Sequence, residues 1–213
     1  MYQADYDTGE IFLHDDIDAA TVIADLKQMI GGRVTVRISS PGGSVDEGRA
    51  IFNALQRHRG GVDVVVDSSA YSIASYIAMA GERIVMAMNA MMMVHNPWTM
   101  AFGDANELRK TAEILDKYRD SIIDAYTEKS KVDREDMVAL LDAETWYTAQ
   151  EAVDAGFATE VGDIAIDAPS FAKAMYTGKP TGSKPAEPKA GSRTPWDLSR
   201  VARRKSVGAM FGK

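Results

Sequence analysis

Apolar residues change period along this chain, from two to about 3.6 and back, and each change marks a switch between strand and helix. Glu10–His14 reads as a short strand. Asp18 then stands where a helix cap belongs, before Ala19–Ile30, with Ile23, Leu26 and Ile30 on one face and Gly31-Gly32 as a stop. Val34–Ser39 alternates Val, Val and Ile with Thr, Arg and Ser, as a half-buried strand does. Ser44-Val45-Asp46-Glu47 has the form of a capping box and opens a helix to about Arg57, with Ile51 and Leu55 inward. Val62–Asp67 is the next strand and Ile73–Ala80 a buried helix, followed by strands at Ile84–Met88 and Met91–His95. A long helix is expected from Asp104 to about Glu128, with Leu108, Leu115, Ile122 and Ala125 at helical spacing. Asp133 caps a shorter helix, and Thr148-Ala149-Gln150-Glu151 forms a second capping box before a helix that Gly156 ends. Strands repeatedly followed by helices predict an α/β fold with a largely parallel sheet.

Composition narrows the class. The 213 residues suit one domain with an appendage, and 46% hydrophobic content is enough to build a core. With no cysteine there is no disulfide framework, thiolate nucleophile or cysteine-held zinc, and no cofactor or metal is expected. The start, MYQADYDTGE, lacks a signal-peptide pattern, and Glu82-Arg83 splits the longest apolar runs below the ~20 residues of a membrane span. These features lead to the expectation of a soluble, cytoplasmic protein. Residues 176–213 hold nine Lys/Arg against two Asp/Glu, a net +7, which leaves −14 on the rest of a chain whose total is −7. An acidic body repels nucleic acid. The domain reading is therefore a body at 1–175 and a Pro/Gly/Lys-rich linker with a basic tail at 176–213, either solvated or docked on an acidic partner.

Three positions carry chemistry, and each has a plainer alternative. Ser39-Ser40-Pro41-Gly42-Gly43 sits between a strand and a capped helix, so it is either a turn or a place where bare amides approach a ligand. Ser72, between Val62–Asp67 and the buried helix, is either a small core residue or a hydroxyl held over a helix N-terminus, where the Ile73 N–H lacks a partner. His95 closes an apolar strand before Asn96-Pro97; His14 and His58 lie in polar, surface-like contexts, so His95 is the candidate general base.

A Gly-Gly turn, a serine heading a helix and a histidine ending a strand, in that order, resemble the ClpP family of serine peptidases. The resemblance runs from about Ile11 to Val161. It rests on Ser40-Pro41-Gly42-Gly43, Ala70-Tyr71-Ser72-Ile73-Ala74 with Ala80-Gly81, Met93-Val94-His95-Asn96-Pro97, and the segment Glu144–Ala152. It implies a ClpP/crotonase-like superfold with a protruding helical handle. Ser72 would be the nucleophile, His95 its base, and the amides of Gly43 and Ile73 the oxyanion hole. The acid position, typically Asp in the family, is Glu144 here, with Asp142 in reserve. The region from Asn96 through the long helix resembles the handle that stacks rings, and Met100 and Phe102 would line that interface or pack in the core. Few residues precede the first strand, and with the basic tail this resembles the phage or prophage branch, which matures heads by trimming capsid and scaffold proteins. That branch implies a homo-oligomeric ring, polypeptide substrates and no Clp ATPase.

Two other classes compete. A crotonase-type acyl-CoA enzyme needs no Ser–His pair, and a signal-peptide-peptidase relative would use a lysine base; Lys110 and Lys117 lie on the long helix after the histidine strand, but neither sits in a motif that recommends it. The other class is an inert scaffold component that keeps the fold, and the Glu at 144 is what favours it.

Overall fold

The computed structural model describes residues 2–162, apart from 16 and 30. In chain order these form β1 (Tyr2–Asp5), β2 (Glu10–His14), α1 (Ala19–Leu26), β3 (Val34–Ser40), α2 (Val45–Gln56), β4 (Val62–Tyr71) and α3 (Ile73–Ala78). There follow β5 (Arg83–Met86), β6 (Met91–Val94), α4 (Ala105–Lys129), α5 (Arg134–Asp142), β7 (Thr145–Thr148), α6 (Ala149–Ala155) and β8 (Glu160–Val161). The sheet runs β1-β2-β3-β4-β5-β8, with β6 on the far half of β4 and β7 on β6. Among the described residues only β1–β2 and β6–β7 pair antiparallel, so the sheet is mixed and largely parallel. The domain boundary expected at 175 and the basic tail lie outside the described residues.

Period-two patterning decides which sheet face is covered. Val34, Val36 and Ile38 of β3 and Val64 and Val66 of β4 join one core with Val22 of α1, Ile51 and Leu55 of α2, and Ile73 and Ile77 of α3. Burying each such side chain stabilises the fold by about 1.5–3 kcal/mol. The intervening Arg37 points to the other face, where its Nε donates to Asp67 at 3.0 Å. Among the described residues no helix is long and apolar enough to cross a membrane.

Several expectations change in detail. Helix α1 stops at Leu26, where the Gln28 N–H tightens the chain by bonding the Asp25 carbonyl three residues back, at 2.9 Å. The first capping box is only half made. Ser44 accepts from the Glu47 N–H at 3.5 Å, but the Glu47 carboxylate reaches across to the Ala19 N–H at 2.6 Å and ties α1 to α2. The second, Thr148 with Glu151, forms in full, and Asp104 with Glu107 makes another at the head of α4. Strand β4 runs four residues past the expected Asp67, to Tyr71.

That extension positions everything that follows. The first half of β4 pairs with β5 through Val66↔Met86, and the second with β6 through Tyr71↔Met93. The strand therefore changes partners midway and delivers Ser72 alongside the end of β6. Helix α2 crosses α3 closely because Gly48 has no side chain: a Cβ there would overlap Ile73 Cγ1.

Candidate active site

Register alone brings the candidate residues together. Continuing the β4–β6 ladder past Tyr71↔Met93 sets Ser72 beside the Val94-His95 step, and the Ser72 N–H donates to the Met93 carbonyl at 2.9 Å. On the other side of β6, the antiparallel pair Val94↔Thr145 sets Glu144 beside His95. Ser72 turns the chain from β4 into α3 with φ 55 and ψ −129, a left-handed conformation that is costly for a residue with a Cβ, about 1–3 kcal/mol. The turn lifts its hydroxyl clear of the helix, and His95 Nε2 lies 2.7 Å from Ser72 Oγ.

Glu144 is less tightly placed. Its Oε2 lies 4.0 Å from His95 Nδ1, beyond hydrogen-bond distance, and its side chain is 57% exposed against 17% for His95. Its other oxygen accepts from Trp146 Nε1 at 3.3 Å. Asp142, the reserve acid, is engaged elsewhere: it accepts from Asn96 Nδ2 at 2.7 Å. Glu144 is thus the carboxylate that faces the imidazole.

The glycine turn closes the site from β3. Gly42 has φ +105, and a Cβ there would meet Ser72 Cβ and the Tyr71 carbonyl oxygen, each at 2.8 Å. Its N–H donates to Ser40 Oγ at 3.1 Å, and that buried hydroxyl donates in turn to the Asp15 carbonyl at 2.7 Å. Neither the Gly43 N–H nor the Ile73 N–H has a hydrogen-bond partner among the described residues. Both are therefore available to an incoming oxygen, and Ile73 adds the positive end of a helix turn. A cavity of about 340 Å³ opens between the start of α2, the Pro97–Thr99 segment and α4, lined by Ser44, Val45, Pro97, Trp98, Leu115 and Tyr118 among others.

Burial pushes the His95 imidazole below its ordinary value, while the charge of Glu144 acts the other way. A base must be neutral, so the reaction of Ser72 should lose rate as pH falls through a midpoint under the usual histidine value of about 6.5. Glu144→Gln removes the only opposing influence and should move that midpoint lower still. Fluorophosphonate labelling rates between pH 4.5 and 8.5 check this; a midpoint above 7, or one that Glu144→Gln raises, rules out His95 as the base.

The remaining candidates fall elsewhere. Lys110 and Lys117 lie on exposed turns of α4. His58 Nε2 sits 2.8 Å from the Gly32 carbonyl oxygen. His14 is half-buried on β2 with its ring edge-on to Phe12, less superficial than its neighbours in sequence suggested. Met100 is 78% and Phe102 92% exposed, so they are not core residues of this chain. The sequence pattern did not single out Ser75 or Tyr126; the one available signal was a serine, Ser75, inside an otherwise apolar helix.

A serine hydroxyl at a strained strand-to-helix turn, bonded to a histidine and flanked by free amides on an α/β sheet, defines the class of serine hydrolases. Residues 1–165 match the Clp protease family, and the chain belongs to that family of serine peptidases. It is 30% identical over 154 residues to the ATP-dependent Clp protease proteolytic subunit of Bacteroides thetaiotaomicron, covering 69% of this chain and 70% of that one. It is 26% identical over 166 residues to proteolytic subunit 1 of Protochlamydia amoebophila, covering 73% and 81%. A point mutant of ClpP1 from Listeria monocytogenes superposes with a TM-score of 0.68 at 23% identity, over 75% of this chain and 94% of that one, which shows the ClpP fold.

Proposed function

We propose that this chain is a serine endopeptidase in which Ser72 attacks, His95 acts as base and acid, Glu144 orients the imidazole, and the Gly43 and Ile73 amides bind the oxyanion. The observation that carries this reading is the 2.7 Å contact between His95 Nε2 and Ser72 Oγ. The chemistry follows from it. His95 Nε2 takes the hydroxyl proton as Oγ bonds to the peptide carbonyl carbon, and the carbonyl oxygen becomes an anion between the two amides. Collapse of that tetrahedral species breaks the C–N bond, and His95 gives its proton to the departing amine. Water, deprotonated by the same imidazole, then bonds to the acyl carbon; the C–Oγ bond breaks, and the imidazolium returns its proton to Ser72 Oγ. The cavity beside Ser44 and Pro97 accommodates a side chain of the bound peptide.

The relatives are named ATP-dependent subunits; the finer proposal for this chain is an ATP-independent peptidase of phage or prophage head maturation, cutting capsid or scaffold proteins. Its support is the charge division: residues 176–213, at +7, offer a contact for an acidic assembly partner without an unfoldase. Incubating the purified chain with its neighbouring capsid and scaffold proteins, without nucleotide, should give discrete products by mass spectrometry. Cleavage that needs an added Clp ATPase and ATP refutes this.

The chain is also proposed to assemble with copies of itself. Trp98, Met100 and Phe102 are 73%, 78% and 92% exposed, an apolar strip that isolated soluble chains rarely leave uncovered. Light scattering at micromolar concentration should read an oligomer, and a monomer contradicts the assembly. The second reading, an inert component of the same fold, is favoured by the 4.0 Å separation between Glu144 and His95.

A further inference from the structure

Ser72 is held by more than its strand. Its carbonyl oxygen accepts two hydrogen bonds from one residue of α3: the Ser75 N–H at 3.0 Å and the Ser75 hydroxyl at 2.6 Å. Ser75 Oγ also lies 2.8 Å from the hydroxyl of Tyr126, near the C-terminal end of α4. A carbonyl oxygen can only accept, so the single Ser75 proton is committed to Ser72. Tyr126 must therefore donate to Ser75. The relay has one direction: Tyr126 O–H to Ser75 O–H to the Ser72 carbonyl.

Both hydroxyls are enclosed. Ser75 is fully buried and Tyr126 is 2% exposed. The Tyr126 ring stands edge-on to Tyr76 at 6.1 Å and to Phe157 at 6.0 Å, which fixes the direction of its hydroxyl. Burial raises the phenol far above its ordinary range, so it remains a donor across the working pH range. A tyrosine locked in this way cannot drift off its partner without leaving a buried polar group unsatisfied.

The Ser72 carbonyl and the Ile73 N–H belong to one peptide unit, which is planar and trans, so they point in opposite directions. Whatever pins the carbonyl into α3 aims the Ile73 N–H out of it, toward the position of the oxyanion. Without a second bond, the strained ψ of Ser72 would be free to relax and turn that N–H away.

We infer that Ser75 and Tyr126 are positioning residues that preorganise the oxyanion-binding amide of Ile73 by clamping the Ser72 carbonyl, a role that rests on the peptidase reading of the site. The clamp acts on a donor used only when charge develops on the substrate, so its loss lowers kcat and leaves KM in place. Tyr126 acts solely through Ser75, so the two substitutions do not multiply.

Four proteins test this: wild type, Ser75→Ala, Tyr126→Phe and the double variant, each as the full chain with its thermal midpoint measured. Ser75→Ala should lower the fluorophosphonate labelling rate and kcat on a fluorogenic peptide about tenfold, with KM unchanged. Tyr126→Phe, which leaves the Ser75–Ser72 bond in place, should lower both about threefold. The double variant should match Ser75→Ala within about twofold, since one path cannot be cut twice. Two folded single variants that label at the wild-type rate overturn the inference, as does a double variant showing the product of both losses. Wild-type protein that does not label at all refutes the peptidase reading itself, whereas labelling wild type with an equally fast Ser75→Ala refutes only the clamp.

Discussion

Replacing His95 by alanine is expected to lower kcat for a peptide substrate by about 10⁴- to 10⁶-fold while the protein stays folded. Among the described residues the imidazole is the group hydrogen-bonded to Ser72 Oγ, at 2.7 Å, and without it the hydroxyl must lose its proton to water. The effect should fall on kcat, because the side chain contributes nothing to binding of the neutral substrate. Stability should change little: His95 sits at the end of β6, and the ladder bonds of that strand are made by backbone groups. Residual rate above the uncatalysed reaction would come from the Gly43 and Ile73 amides, which the substitution leaves alone. Steady-state kinetics with a circular dichroism melt checks both halves. A His95→Ala protein with a tenth or more of wild-type kcat removes the imidazole from the mechanism.

The second large effect is steric. Gly42→Ala would place a methyl 2.8 Å from Ser72 Cβ and 2.8 Å from the Tyr71 carbonyl oxygen, in a residue whose φ of +105 already disfavours a side chain. Both obstacles are parts of the turn that carries Ser72, and neither is the free end of a flexible side chain. The turn must move, and a displacement near 1 Å at the reacting group costs about 10²-fold in rate. We expect Gly42→Ala to lose at least that much activity, with a stability loss of about 1–3 kcal/mol from strain and overpacking. Gly32→Ala is the matched control, since a Cβ there meets nothing within 4 Å. Comparable losses in the two variants would mean that Gly42 is an ordinary turn glycine.

Much of this architecture is legible in the residues, because burial on one sheet face writes itself as alternation. Val34–Ser39 and Val62–Asp67 announce strands, and Asp18, Ser44, Asp104, Asp133 and Thr148 announce helix starts. What escapes is decided by partners distant in the chain. Strands β1, β7 and β8 are short, and Thr145–Thr148 carries two threonines and an exposed Trp146; its strand character comes from pairing with β6. The end of α1 is set by a backbone bond to Asp25, which no side-chain pattern encodes.

The site divides the same way. Ser72, His95 and the Gly-Gly turn each stand at an element boundary, so the boundaries themselves point to them. Two registers, β4 on β6 and β6 on β7, then bring Ser72, His95 and Glu144 into one cluster, and the pairing of β3 with β4 adds the glycine turn. The sequence leaves Glu144 and Asp142 both open; the contact of Asp142 with the Asn96 side chain is one that no local pattern encodes. Ser75 and Tyr126 meet across 51 positions of chain, and nothing periodic connects them.

The most direct measurement is intact-mass and peptide-mapping spectrometry of the folded full chain after treatment with a fluorophosphonate. A single adduct on Ser72, absent from Ser72→Ala and strongly slowed in His95→Ala, is the predicted result. A folded protein that takes up no adduct, or takes it up on another residue, contradicts the proposal that Ser72 is the nucleophile.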